Sequence, residues 1–110
     1  MPRRAQSRIS TAELDELIEQ ATVDCYNDAE QVTGLFTMIE EHLELPFTTT
    51  VLGMPVTVAS VDVTTTDEIV AICTRDGHRQ LIPILQLPVP DPVPDGWEWI
   101  EAYRRWARWM

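Results

Sequence analysis

Val56-Thr57-Val58-Ala59-Ser60-Val61-Asp62-Val63 is dominated by β-branched residues and carries polar side chains between apolar ones. That pattern suits a pleated, half-buried strand. The same character extends to both sides, through Thr48-Thr49-Thr50-Val51-Leu52 before it and through Ile69-Val70-Ala71-Ile72-Cys73 and Gln80-Leu81-Ile82-Pro83-Ile84 after it. Gly53, Thr64-Thr65-Thr66-Asp67 and Asp76-Gly77 separate the segments. Asp-Gly is a strong tight-hairpin signal because Gly readily takes the left-handed conformation. The stretch from Phe47 to Val89 therefore predicts four antiparallel strands, arranged as a meander or a small SH3-like barrel.

The flanks of this β region read as helices. Ser10 followed by Glu13 matches a capping box. Leu14, Leu17, Ile18, Ala21 and Cys25 then form one apolar stripe, predicting a helix that ends near Tyr26. Val32, Leu35, Phe36, Ile39 and Leu43 repeat the pattern before Leu45-Pro46 stops it, with Asn27 as the breaker between the two helices. Gly34 costs about 1 kcal/mol relative to Ala inside a helix, which points to a close approach of another backbone there.

After the strands, Pro88-Val89-Pro90-Asp91-Pro92-Val93-Pro94 predicts an extended strap that joins the sheet to a last helix. Asp95 and Glu98 suggest a second capping box, and Trp99, Tyr103, Trp106 and Met110 share one face of the helix that follows. The expected fold class is α+β: an N-terminal helical hairpin, the antiparallel sheet, and a Trp-rich C-terminal helix. Residues 1–9 read as a flexible, Arg-rich arm, and residues 10–110 as a single acidic domain.

Charge narrows the function. The 110 residues hold 18 acidic and 8 basic side chains, a formal charge of −10, and every basic residue is Arg. From Glu13 to Glu44 there are ten carboxylates (Glu13, Asp15, Glu16, Glu19, Asp24, Asp28, Glu30, Glu40, Glu41, Glu44) and no Arg. Such a balance opposes nucleic-acid binding, which needs cations to neutralise phosphates, and favours cations or a basic protein partner. No apolar run approaches a membrane span, and MPRRAQSR lacks the apolar segment of a signal peptide, so a cytoplasmic protein with no membrane attachment is expected. Cys25 and Cys73 are too few and too far apart for a disulfide framework or a metal knuckle. There is no phosphate-binding Gly-rich loop, HExxH or GxSxG, and His42 and His78 fall at a helix end and in a hairpin turn, where exposure is expected over catalysis, so no enzyme is expected.

Clustered carboxylates suit Ca²⁺, which takes six to eight oxygens without rigid geometry. Asp24, Asp28 and Glu30 crowd the corner between the two helices, and Glu40, Glu41 and Glu44 crowd the end of the second. Asp62, Asp67 and Glu68 make a third, weaker group. An EF-hand is excluded. Counted from Asp28, position five is Val32, position six is Thr33 where the loop needs Gly, and position twelve is Ile39.

At Val23-Asp24-Cys25-Tyr26-Asn27, through Gly34 and Leu45-Pro46-Phe47, the chain resembles the small cyanobacterial-type calcium-binding proteins, the CcbP family. Ile82-Pro83-Ile84-Leu85-Gln86-Leu87 and Glu101-Ala102-Tyr103-Arg104-Arg105-Trp106 extend the likeness over residues 13–106. The resemblance implies an acidic, non-EF-hand bacterial protein that binds Ca²⁺ through surface carboxylates and buffers or regulates calcium. Asp24 is the one site residue it carries over. This chain departs from the family in its shorter Thr-rich middle, its Pro-rich strap and its all-Arg basic set. The competing expectation is an acidic interaction or inhibitor protein that docks a basic partner or mimics nucleic acid.

Overall fold

The computed structural model describes residues 9–108, so residues 1–8 of the expected arm and Met110 lie outside the described residues. The elements run α1 (Thr11–Thr22), α2 (Asp28–His42), β1 (Phe47–Val51), β2 (Met54–Val63), β3 (Ile69–Arg75), β4 (His78–Pro83), a 3-10 turn (Ile84–Gln86) and α3 (Trp97–Ala107). The fold is α+β.

The strands form one antiparallel sheet in the order β1-β2-β3-β4, a meander with β1 and β4 as its edges. No pairing joins those edges among the described residues, so the sheet is open and does not close into a barrel. Two tight hairpins set its register. Leu52-Gly53 and Asp76-Gly77 each hold φ of 52° and 78°, the left-handed pair that a type I′ turn requires. Between Val58 and Ser60 the β2–β3 register shifts at a bulge. Strict alternation from Val58 would turn Ser60 and Asp62 inward. The extra residue, Ala59, resets the phase, so Val58 and Val61 are both buried while Asp62 is exposed.

α2 packs on the face that carries Val58, Val61, Ile69, Ala71 and Cys73, α3 reaches it through Tyr103, whose hydroxyl accepts from the Ile69 amide, and α1 packs on α2 and α3. Val32, Leu35, Ile39 and Leu43 of α2 and Trp97, Ile100 and Tyr103 of α3 complete the core. The close approach expected at Gly34 is present: a Cβ there would collide with the Ala21 carbonyl oxygen of α1. α1 begins with the expected capping box, the Glu13 amide donating to Ser10 Oγ at 3.1 Å and the Ser10 amide to Glu13 Oε1 at 3.0 Å. It stops at Thr22, four residues before the expected end, because Val23 leaves helical geometry and Asp24 turns left-handed at φ 66°.

Asp95 does not cap α3, contrary to the sequence reading. The N-cap is Gly96 at φ 88°, with no side-chain cap bond. Asp95 is committed elsewhere: its carbonyl accepts from the Glu44 amide at 2.8 Å, and its own amide donates to Glu44 Oε1 at 3.1 Å. That reciprocal pair ties the entry of α3 to the exit of α2. The strap before it runs beside β1, where Thr49 Oγ1 donates to the Pro88 carbonyl at 3.1 Å.

One charged pair joins the first and last helices. Arg105 donates from Nε to Asp15 Oδ1 at 2.7 Å and from Nη2 to Oδ2 at 3.3 Å. The guanidinium hydrogen bond holds the Asp15 carboxyl below its ordinary value. A carboxylate with a depressed folded pKa contributes stability above its unfolded pKa and loses it as pH falls through the folded one. Acidification below the usual carboxylate range should therefore loosen the α1–α3 contact in wild type. NMR titration should place Asp15 below the ordinary Asp value, and Asp15→Asn should remove that part of the acid sensitivity. An ordinary Asp15 titration would contradict the pair.

Candidate functional site

All ten carboxylates from Glu13 to Glu44 are exposed. Asp15 alone among them meets an Arg within the described residues. Glu41 has only His42, at 3.9 Å. α1, the inter-helix corner and α2 thus present a negative surface with little internal counter-charge.

The corner is built from Val23 to Glu30. The Asn27 side chain caps α2 by accepting from the Glu30 amide at 2.9 Å, and Glu30 Oε1 accepts from the Tyr26 amide at 2.7 Å. Cys25 Sγ donates to the Glu30 carbonyl at 3.3 Å. Asn27 and Glu30 are therefore occupied in shaping the turn. Among the described residues the Asp24 and Asp28 side chains have no hydrogen-bond or ion-pair partner. Asp24 stands in the left-handed region, which Asp tolerates better than most residues. Asp28 occupies the first turn of α2, where the helix dipole favours a carboxylate.

Glu40 and Glu41 lie at the other end of α2, some 20 Å away at 1.5 Å per residue. They face the negative end of that helix, with His42 as the one basic residue in its last turn. Glu44 is drawn off by its bond to Asp95. Of the six residues named from sequence, the fold brings Asp24, Asp28 and Glu30 to one corner and Glu40, Glu41 and Glu44 to another. Among the described residues no three His, Cys, Asp or Glu side chains converge as a metal cage. The Asp62–Glu68 loop is organised internally, with Thr64 Oγ1 accepting from the Glu68 amide at 3.1 Å and Asp62 Oδ1 from the Val63 amide at 2.8 Å. The donor set thus suits a hard cation in kind and falls short of Ca²⁺ in number, so backbone and water oxygens must complete any shell.

Sequence reasoning missed what surrounds the corner. Val23 and Tyr26 are 66 % and 87 % exposed, flanking Asp24. The stripe that ran on to Cys25 placed both within α1 and gave no sign that the helix stops short. Elsewhere, Cys73 and His78 line one groove beside the β3–β4 hairpin. Burial pushes the Cys73 thiol up, which keeps it neutral and a poor nucleophile. No helix among the described residues is long and apolar enough to cross a membrane. No family model, curated protein or solved structure matches the chain.

Proposed function

We propose that the chain is a calcium-ion binding protein without catalytic activity, whose inter-helix corner holds Ca²⁺ weakly through Asp24 and Asp28. The observation that carries this reading is the exposed surface of ten carboxylates from Glu13 to Glu44 of which, among the described residues, only Asp15 meets an Arg. Two carboxylates beside a chain reversal, without a partner among the described residues, supply up to four oxygens, and water supplies the rest. A shell so incomplete gives affinity in the range of about 10⁻⁴ to 10⁻³ M, the weak end for calcium sites. The likeness to the cyanobacterial-type proteins at Val23–Asn27 supports the same corner, and implies buffering or regulation of calcium.

The test is a melting curve in Ca²⁺ or Mg²⁺. Millimolar Ca²⁺ should raise the melting temperature of the wild type, and Mg²⁺ should raise it less, because Mg²⁺ demands a compact octahedral shell. Asp24→Asn and Asp28→Asn should each remove most of the Ca²⁺ response while leaving the metal-free melting temperature nearly unchanged. Equal responses in wild type and both variants would move the site away from the corner.

A second reading has its own support. Exposed Val23 and Tyr26 beside Asp24 and Asp28 place apolar anchors within a negative surface, the composition of a docking face for a basic protein. Tyr26→Ser should leave the Ca²⁺ response intact and weaken capture of such a partner, so the two readings separate on one variant.

A further inference from the structure

The two edges of the sheet are unlike. β1 is flanked by the Pro-rich strap. Among the described residues β4 pairs with β3 and with no other strand, and His78 to Leu81 are exposed. In a two-residue type I′ hairpin the flanking pair exchanges both backbone bonds, so Arg75 and His78 face each other as a bonded pair. Alternation along the ladder then turns the backbone groups of His78, Gln80 and Ile82 toward β3 and those of Arg79 and Leu81 outward. Among the described residues the backbone groups of Arg79 and Leu81 find no partner in any turn, loop or cap.

We propose that this edge pairs with the β4 edge of a second copy of the chain, antiparallel, about a two-fold axis through Gln80. In that register Arg79 exchanges both backbone bonds with Leu81 of the second copy, and Leu81 with its Arg79. Every outward donor on the edge is then satisfied. Pro83, which has no N–H to give, falls opposite Gly77 of the second copy, at the hairpin turn where the ladder ends. The side chains are self-complementary as well. Gln80 meets Gln80 across the axis, amide to amide, and the exposed Leu81 lies opposite the aliphatic stem of Arg79.

Charge selects a second copy for this edge. At −10, two copies repel over most of their surface. From Ile69 to Pro90, however, the charged residues are Arg75, Asp76 and Arg79. Here like molecules meet with the least acid between them, and with α1 and α2 turned elsewhere. Arg and Pro on an edge ordinarily discourage pairing. In this register neither blocks it, and because the strap flanks β1, pairing stops at two chains. A contact of one short strand is small, so the dimer is weak and concentration-dependent.

The axis gives a selective test. Sedimentation velocity across a wide concentration range should show a monomer–dimer equilibrium for the full chain. Gln80→Glu and Gln80→Lys each place like charges face to face across the axis, and each should weaken dimerisation about fivefold or more. Their equimolar mixture should restore it as a heterodimer. Hydrogen exchange should slow at the Arg79 and Leu81 amides as concentration rises, while the Gln80 amide, already bonded to β3, stays protected throughout. The circular dichroism spectrum of each variant checks that the exposed substitution leaves the fold intact. A wild type that stays monomeric at millimolar concentration would overturn the proposal, with the edge then solvated or kept for a different extended peptide. So would a dimer indifferent to both substitutions.

Discussion

Gly96→Ala should destabilise the protein by about 2–4 kcal/mol, from overpacking of roughly 1–3 kcal/mol together with about 1 kcal/mol for an L side chain at positive φ. Gly96 holds φ 88°, and a Cβ on it would collide with the His42 carbonyl, whose oxygen and carbon both stand in its path, and with Leu43 Cα at 2.6 Å. Those are backbone atoms at the exit of α2. They cannot swing aside as a flexible side chain would, so α3 must shift or α2 must fray. The reciprocal Glu44–Asp95 bonds lie next to the collision and would weaken with it. In thermal unfolding the melting temperature should fall by roughly 8–32 °C, at about 4–8 °C per kcal/mol for a small domain. A fall of only a few degrees would mean that the α2–α3 junction is looser than these contacts describe.

Trp97→Ala should cost about 3–5 kcal/mol, the usual range for emptying a large aromatic site. Trp97 is 2 % exposed, packs edge-on against Phe47 with ring centroids 6.0 Å apart, and donates from its indole nitrogen to Glu101 Oε2 at 3.0 Å. Its removal leaves a cavity between α3 and β1 and takes a donor from a half-buried carboxylate that Arg104 also holds, at 3.2 Å. Trp97→Phe keeps most of the apolar contact and should cost much less. Trp106 is only partly buried, so Trp106→Ala should cost less than Trp97→Ala despite removing the bond to Gln31. Urea unfolding of the three variants checks the order, and equal losses at Trp97 and Trp106 would contradict the burial pattern.

Much of the fold was legible because its signals are local. The Ser10–Glu13 box, the α2 stripe, and the Asp76-Gly77 turn each depend on residues within a few positions of one another, and each forms as the spacing requires. The failures share the opposite property. Asp95 has the chemistry of a cap, but a partner 51 residues earlier claims its backbone, and nothing near Asp95 announces Glu44. Ile84 reads as the end of a strand, yet it starts a 3-10 turn that buries it in the core. Open or closed sheet is equally non-local, since the same four strands serve a meander or a barrel and only edge-to-edge pairing separates them.

The site was legible in composition and less so in geometry. Sequence places Asp24, Asp28 and Glu30 near one another because they are neighbours in the chain. It does not show that Glu30 and Asn27 are used to shape the corner, leaving Asp24 and Asp28 as the corner's acids without a side-chain partner among the described residues. Nor does it show that Glu44 is held by the strap-to-α3 junction while Glu40 and Glu41 face solvent. Charge count marks a surface that attracts cations, and side-chain commitments decide which carboxylates are left to meet one.

The most direct test of calcium binding is calorimetric titration of the full chain with Ca²⁺ at low ionic strength, repeated with Mg²⁺. Saturable Ca²⁺ binding with a dissociation constant of about 10⁻⁴ to 10⁻³ M, weaker for Mg²⁺ and reduced in Asp24→Asn and Asp28→Asn, is the expected result. No saturable heat up to roughly 10 mM Ca²⁺, well above the weakest of such sites, would contradict it.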